Sequence, residues 1–339
     1  MKRKDIASEL NLSPSIITRV LNRNERGSIS DELRNQIIST AIKNGVHVKN
    51  RRYGILVGSH QCKVDDPFFG DVIQYASEAF QKMSYYKCFH CTAPELEKMS
   101  DDEITDYYGR LDGIVVITTA PKKILTRIAK LTDNIVYIGE IFAYYDSKKY
   151  DYGLPDFLFD KITYDSYSMI SRCVEYLAGL GRKKIVYIGI DDGGDKYKNL
   201  RCIGFIDGLS KIGIAPEGKT FFTENVGFEG GYYTAEIINT ETDFDAVVCH
   251  NDQIALGCME RLISLGKKIP EDVMVTGFYD IAGASSKGLT SVKIDTRAIG
   301  YFSADIINAR AEKIINTPIS IEFGLELVKR KSTGEFFSE

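Results

Sequence analysis

Lys4-Asp5-Ile6-Ala7-Ser8-Glu9-Leu10-Asn11-Leu12-Ser13-Pro14-Ser15-Ile16-Ile17-Thr18-Arg19-Val20-Leu21-Asn22 decides how the chain begins. Asp5 to Leu10 reads as a short helix with Ile6 and Leu10 on one face. Asn11-Leu12 makes a tight turn. Ser13 is a good N-cap, and Pro14 follows at the first helical position, where its missing N–H is no loss. The second helix then runs from Ser15 to Asn22. Ile17, Val20 and Leu21 form its inner stripe, and Ser15, Thr18, Arg19 and Asn22 face outward. Ser30 caps a third helix, with Asp31 and Glu32 in its first turn and Leu33, Ile37 and Ala41 on its apolar face.

Two short helices joined by a tight turn are the DNA-reading pair of a helix-turn-helix, whose second helix offers its N-terminal residues to major-groove base edges. Short polar side chains suit that place, and an arginine such as Arg19 can bind guanine O6 and N7 together. Charge supports the reading. Residues 1–52 hold 11 Lys/Arg and 5 Asp/Glu, a net of +6, which leaves −10 on the rest of a chain whose net charge is −4. A basic head on an acidic body is the pattern of a nucleic-acid module attached to something else.

Several function classes drop out. No apolar run approaches the length of a membrane span. The Met1-Lys2-Arg3-Lys4-Asp5 start has no apolar stretch of a secretory signal, so a cytoplasmic location is expected. Seven scattered cysteines (Cys62, Cys88, Cys91, Cys173, Cys202, Cys249 and Cys258) read as reduced thiols. Cys88-Phe89-His90-Cys91 has metal-like spacing, but no second pair follows and the segment reads as a strand. No metal and no cofactor are expected. Dinucleotide, phosphate-loop, nucleophile-elbow and zinc-protease motifs are absent, and His47, His60, His90 and His250 form no evident site. An enzyme is therefore not expected.

From Tyr53 onward apolar strand-like runs alternate with helical patterns. The runs are 54–57, 113–118, 135–139, 184–190, 245–249 and 273–277. The helical stretches include 68–83, 166–180, 200–212, 230–238 and 253–265. Such alternation predicts parallel sheets with helices on both faces, and the length suffices for two. The expected architecture is an all-α helix-turn-helix head plus an α/β two-lobed body of two doubly wound parallel sheets. The expected domains are a head over 1–48, a short linker over 49–52, a first lobe over 53–160 plus 290–320, and a second lobe over 161–289 plus 321–339. A ligand is expected at the carboxyl ends of the strands, in the crevice between lobes.

The head resembles that of the LacI/GalR family of bacterial repressors. Lys4-Asp5-Ile6-Ala7, Ser13, Arg19-Val20-Leu21-Asn22, Ser30 with Glu32 and Arg34, and Ala41-Ile42 followed by Gly45 carry the likeness. The body is similar to the same family's sensor body, shared with periplasmic sugar-binding proteins. Its motifs are Asp66-Pro67-Phe68-Phe69, Leu111-Asp112-Gly113-Ile114, Tyr176-Leu177 with Leu180-Gly181 and Ile185, Arg201 with Gly204-Phe205, Asn251 to Gly257, Pro270-Glu271-Asp272-Val273 and Leu289-Thr290-Ser291-Val292. The resemblance implies that Lys4, Ser13, Pro14, Ser15, Thr18, Arg19 and Asn22 face DNA. It also implies that Phe68, Phe69, Asp165, Arg201 and Asn251 face the effector.

Two departures stand out. The family usually has a longer linker, which folds on the operator into a helix whose leucine wedges into the minor groove. Here Val46-His47-Val48-Lys49-Asn50-Arg51-Arg52 runs straight into the strand at Tyr53. That leaves Lys49, Arg51 and Arg52 to hold phosphates without a wedge. The family's Gly-Phe-Asp-Asp is Gly277-Phe278-Tyr279-Asp280 here, so either Asp280 takes the acceptor role or Tyr279 stacks on or occludes the ligand. The tyrosine-rich stretch around Tyr144, Tyr145, Tyr150 and Tyr152 looks like an inserted loop. The function implied is a homodimeric, effector-controlled repressor on double-stranded operator DNA, nearest to regulators of galactose or β-galactoside genes. A cytosolic or transport-type sugar-binding protein with a vestigial head is the alternative.

Overall fold

The computed structural model describes the chain apart from residues 1–2, 23–28, 45, 47–50, 59–66, 84, 119, 141–159, 192–196, 198 and 336–339, and apart from the side chains of Asn22, Asp31, Glu32, Arg34, Asn35, Ile42, Asp106 and Tyr107. The described residues fall into two compact units. One is drawn from Met1–Gly139, Tyr150–Ile162 and Thr296–Ile321, the other from Glu140–Lys149, Thr163–Asp295 and Glu322–Glu339.

The first unit opens with three helices, α1 (Arg3–Glu9), α2 (Pro14–Asn22) and α3 (Asp31–Lys43). Ile6, Ile17, Val20, Leu21, Ile37 and Ala41 are all buried at their centre. Ser13 and Ser30 cap α2 and α3: the Ile16 N–H donates to Ser13 Oγ at 3.4 Å and the Leu33 N–H to Ser30 Oγ at 3.3 Å. Asn11 turns the chain between α1 and α2 at φ 54°, a left-handed conformation that asparagine tolerates better than most residues.

Behind the head comes a six-stranded sheet. Its strands are β1 (Arg51–Val57), β2 (Tyr85–Thr92), β3 (Gly113–Ile117), β4 (Ile135–Glu140), β5 (Asp160–Tyr164) and β11 (Ser320–Phe323), in the order β11-β5-β4-β3-β1-β2. β1 pairs in parallel with both β2 and β3, and β3 in parallel with β4. Helices α4 (Pro67–Lys82), α5 (Ala93–Glu97), α6 (Asp101–Tyr108), α7 (Lys122–Ile128) and α13 (Thr296–Ala311) join these strands or return the chain to them. Because both sheet faces are covered, the strands are unbroken apolar runs rather than alternating ones: Ile55, Leu56, Val57, Ile114, Val115 and Val116 are all buried. Gly54 marks a register shift between β1 and β2. A Cβ there would stand 2.3 Å from the Phe89 ring, so no larger residue fits.

Asp160 fastens the far edge of this unit. Its carboxylate is fully buried, accepts from Arg310 through both Nε and Nη2, and accepts the Ile319 N–H at 2.8 Å.

The second unit holds β6 (Ile185–Ile190), β7 (Thr220–Thr223), β8 (Ala246–Cys249), β9 (Met274–Tyr279), β10 (Thr290–Lys293) and β12 (Glu326–Val328), in the order β12-β10-β9-β8-β6-β7. Among the described residues of this sheet only β12 pairs antiparallel. Its helices are α8 (Ser166–Gly179), α9 (Leu200–Lys211), α10 (Phe228–Glu241), α11 (Asp252–Ser264) and α12 (Ala282–Ser286). Chain order runs β6, β7, β8, yet β7 and β8 lie on opposite sides of β6. The winding therefore reverses there, at the carboxyl ends of β6 and β8, which is where doubly wound sheets commonly bind a ligand.

The division differs from the sequence reading at several places, including Glu140–Lys149, which falls with the second unit, and 161–162 and Ile321, which fall with the first. Residues 290–295 belong to the second unit, because β10 continues that sheet beside β9, and the chain leaves it only after Asp295. Arg51 and Arg52, read as linker, are the first two residues of β1. The tyrosine-rich stretch lies outside the described residues.

Candidate DNA-reading head and effector site

In the head, Lys4, Ser13, Pro14 and Ser15 are exposed, and Thr18 and Arg19 are half-buried. The Ser13 and Ser15 hydroxyls lie 2.9 Å apart at the start of α2, at the end that a helix-turn-helix presents to a groove. Asn22 closes α2, but its side chain lies outside the described residues.

Arg51 and Arg52 are placed differently from the sequence expectation. Arg51 pairs with Glu312 and donates to Asn308 Oδ1 at 2.7 Å. Arg52 donates from Nη1 to the Arg110 carbonyl at 2.9 Å, from Nη2 to the Tyr108 carbonyl, and from Nε to Cys88 Sγ at 3.1 Å. The Arg52 N–H donates to Asp112 at 2.6 Å. Both guanidinium groups are thus committed to the body, because the strand begins two residues earlier than the apolar pattern alone indicates. Lys49 lies outside the described residues.

Phe68 and Phe69 occupy the first turn of α4, after β1. They are 2% and 7% exposed and pack edge to face with centroids 5.3 Å apart, which makes both of them core residues of the first unit.

In the second unit, the start of α9 and the carboxyl ends of β8 and β9 bring several predicted residues together. Arg201, in the first turn of α9, is fully buried. Its Nε donates to Glu140 Oε1 at 3.0 Å, Nη1 to the His250 carbonyl at 2.6 Å and Nη2 to the Tyr279 hydroxyl at 2.9 Å. Its guanidinium carbon lies 4.0 Å from the Phe278 ring centroid and 4.7 Å from that of Tyr279. Burial alone would lower the pKa of Arg201, but Tyr279 and Glu140 more than offset this and raise it. Burial and the nearby Arg201 charge both hold His250 well below the usual histidine range, so its ring stays neutral, with Nδ1 2.9 Å from the Tyr187 hydroxyl.

Asn251 and Asp165 both act as helix N-caps. Asn251 Oδ1 accepts the Ile254 N–H at 2.8 Å and its amide donates to the Val226 carbonyl at 2.9 Å. Asp165 Oδ1 accepts the Ser168 N–H at 2.9 Å.

Tyr279 and Asp280 both have positive φ, 106° and 55°. Two successive non-glycine residues in that region store strain, which a packed surrounding must hold in place. Asp252 provides the hold. It is 1% exposed, and it accepts the Ile281 N–H at 2.9 Å and the Ser291 hydroxyl at 2.6 Å. Glycine is required at 277 because a Cβ would sit 2.1 Å from an Asp252 oxygen. Burial raises the Asp252 pKa to about 7 against these donors. Asp280 accepts from Arg330 Nη1 at 2.6 Å, so its carboxylate already has a cationic partner. The structure thus joins Arg201 to Tyr279, pairs Asp280 elsewhere, and adds three residues that sequence reasoning missed: Glu140, Arg330 and Ser291. Glu140 left a signal, being a carboxylate directly after the apolar run Ile135–Gly139. Arg330 left none.

A three-helix head followed by a body of two parallel-sheet units is the architecture of a helix-turn-helix module joined to a periplasmic-binding-protein-like body. Comparison with known proteins agrees. Residues 174–333 match the family described as periplasmic binding protein-like domain. The uncharacterized HTH-type transcriptional regulator YvdE of Bacillus subtilis (strain 168) is 23% identical, over 97% of this chain and 98% of that one. The HTH-type transcriptional regulator GanR of the same organism is 26% identical, over the same shares. A solved complex of the transcriptional regulator CelR with cellobiose superposes with a TM-score of 0.69 at 18% identity, covering 98% of this chain and 99% of that one, a likeness of fold. The chain is thus similar along its length to HTH-type transcriptional regulators. Among the described residues no helix is long and apolar enough to cross a membrane.

Proposed function

We propose that this chain is an effector-responsive transcriptional regulator that works as a homodimeric repressor on double-stranded operator DNA. The observation that carries the proposal is the exposed N-terminal end of α2, with Ser13, Pro14 and Ser15 free of the head's core, in a chain whose full length resembles HTH-type regulators. Lys4, Thr18, Arg19 and Asn22 complete the proposed DNA face, and Arg51 and Arg52 leave it. Two heads on two half-sites suit a pseudo-palindromic operator. An effector that favours one of two states of the protein changes DNA affinity by the ratio of its affinities for those states.

For the effector we propose an uncharged sugar, with galactose and β-galactosides first to be tried. Charge supports this reading. In the second unit Arg201 is matched by Glu140 and Asp280 by Arg330, so no unmatched cation awaits a phosphate among these four residues. The half-buried Tyr279 ring offers an apolar face suited to a sugar ring. A thermal-shift screen of neutral sugars, phosphosugars and purines tests this, since a ligand of the folded state raises Tm. A neutral sugar should raise it. A shift with purines or phosphosugars and none with neutral sugars would overturn the assignment.

A further inference from the structure

We infer that the head is seated on the first unit as a fixed part of it, by a packed joint that stands where a flexible or folding hinge would otherwise be. The head's apolar cluster does not end within the three helices. It continues into Tyr86 of β2, only 7% exposed, and Cys88 packs against it. α3 lies against α6. Arg52 fastens the same place from the strand side, reaching Cys88 Sγ and the carbonyls of Tyr108, at the end of α6, and Arg110. Asp112 closes the buckle, accepting the Arg52 N–H at 2.6 Å while its own N–H donates to the Arg52 carbonyl at 2.7 Å.

The connection is short. α3 ends at Lys43 and β1 starts at Arg51. Val46 packs on the head's cluster, and its N–H donates to the Ala41 carbonyl at 2.8 Å. Only residues 47–50 remain to span, with a reach of about 17 Å at full extension. A short tether between two apolar surfaces that already meet favours docking over free tumbling, because little chain entropy is lost on closing it. The exposed start of α2 points to a joint that presents the reading helix rather than covering it.

The consequence for DNA rests on the proposed regulator reading. Heads carried rigidly by a dimer read two major grooves at a separation fixed by the bodies. Affinity then depends on half-site spacing and little on how easily the central step kinks.

The test has two readouts. In the full-length protein without DNA, TROSY-detected relaxation should give head amides the rotational correlation time of the first unit. Tyr86→Ala should shorten it for the head alone, and Tyr86→Phe, which keeps the ring, should not. Independent tumbling of the wild-type head would overturn the joint, whether or not the alanine variant folds. Duplexes selected from a random palindromic library supply the second readout. Changing the spacing by one base pair should weaken wild-type binding on the order of tenfold or more, and Tyr86→Ala should soften that dependence, because preorganisation is lost. A library that yields no bound duplex would contradict the regulator reading while the relaxation result still decides the joint. Equal tolerance of spacing by wild type and Tyr86→Ala, with DNA bound, would contradict the consequence drawn for DNA.

Discussion

Asp252 shows how one side chain shapes the second unit's edge. Its carboxylate is buried, braces the strained Tyr279-Asp280 turn through the Ile281 N–H and Ser291, and has its pKa raised to about 7. The folded protein therefore holds a proton that the unfolded chain, near 3.8, has already lost. This group's contribution to stability is full below about pH 4 and is lost as pH rises through about 7, a change on the order of a few kcal/mol. In urea unfolding, Asp252→Asn should show a smaller loss of stability between pH 5 and pH 8 than the wild type. Equal losses would mean that Asp252 is ionised throughout. Asp160 makes a different kind of contact, a fully buried carboxylate clasped by Arg310. Asp160→Ala strands a guanidinium and an N–H, and should cost about 3–5 kcal/mol in chemical denaturation. A cost below 1 kcal/mol would show the clasp to be structurally idle.

Elements were more legible in the sequence than pairings. The helical periods of α2, α8, α9 and α11 and the apolar runs of β3, β4, β6 and β8 stand out because each is a local pattern of burial. β7 is hard to read from sequence because it is only four residues long, Thr220-Phe221-Phe222-Thr223, and half-buried throughout, so it shows neither a long apolar run nor an alternation. The candidate effector-site residues are harder to place. Residue type and position single out Asn251, Arg201 and Asp280, but the partners they bond lie 25, 61 and 50 residues away, and no local pattern encodes such pairs. The head's basic residues separate in the same way. Lys4 is exposed, whereas Arg51 is tied to Glu312 and Asn308. Lys4→Gln should lower the slope of log K against log salt by about 1, as loss of one phosphate contact requires. Arg51→Gln should leave that slope unchanged and lower stability by about 1 kcal/mol instead. A reduced slope for Arg51→Gln would return that residue to the DNA face.

In the molecule as a whole, a basic head precedes an acidic body, and the body is similar to periplasmic binding protein-like domains. The proposed function requires that the head reads DNA under control of a small molecule that the body binds. Fluorescence anisotropy of the full-length protein with a library-selected palindromic duplex measures this most directly. The titration is run across salt, with and without the neutral sugar that raises Tm. Log K should fall steeply and linearly with log salt, and the sugar should change the affinity at least about fivefold. A duplex affinity that the sugar leaves unchanged, or no duplex bound at any salt, would contradict the proposed function.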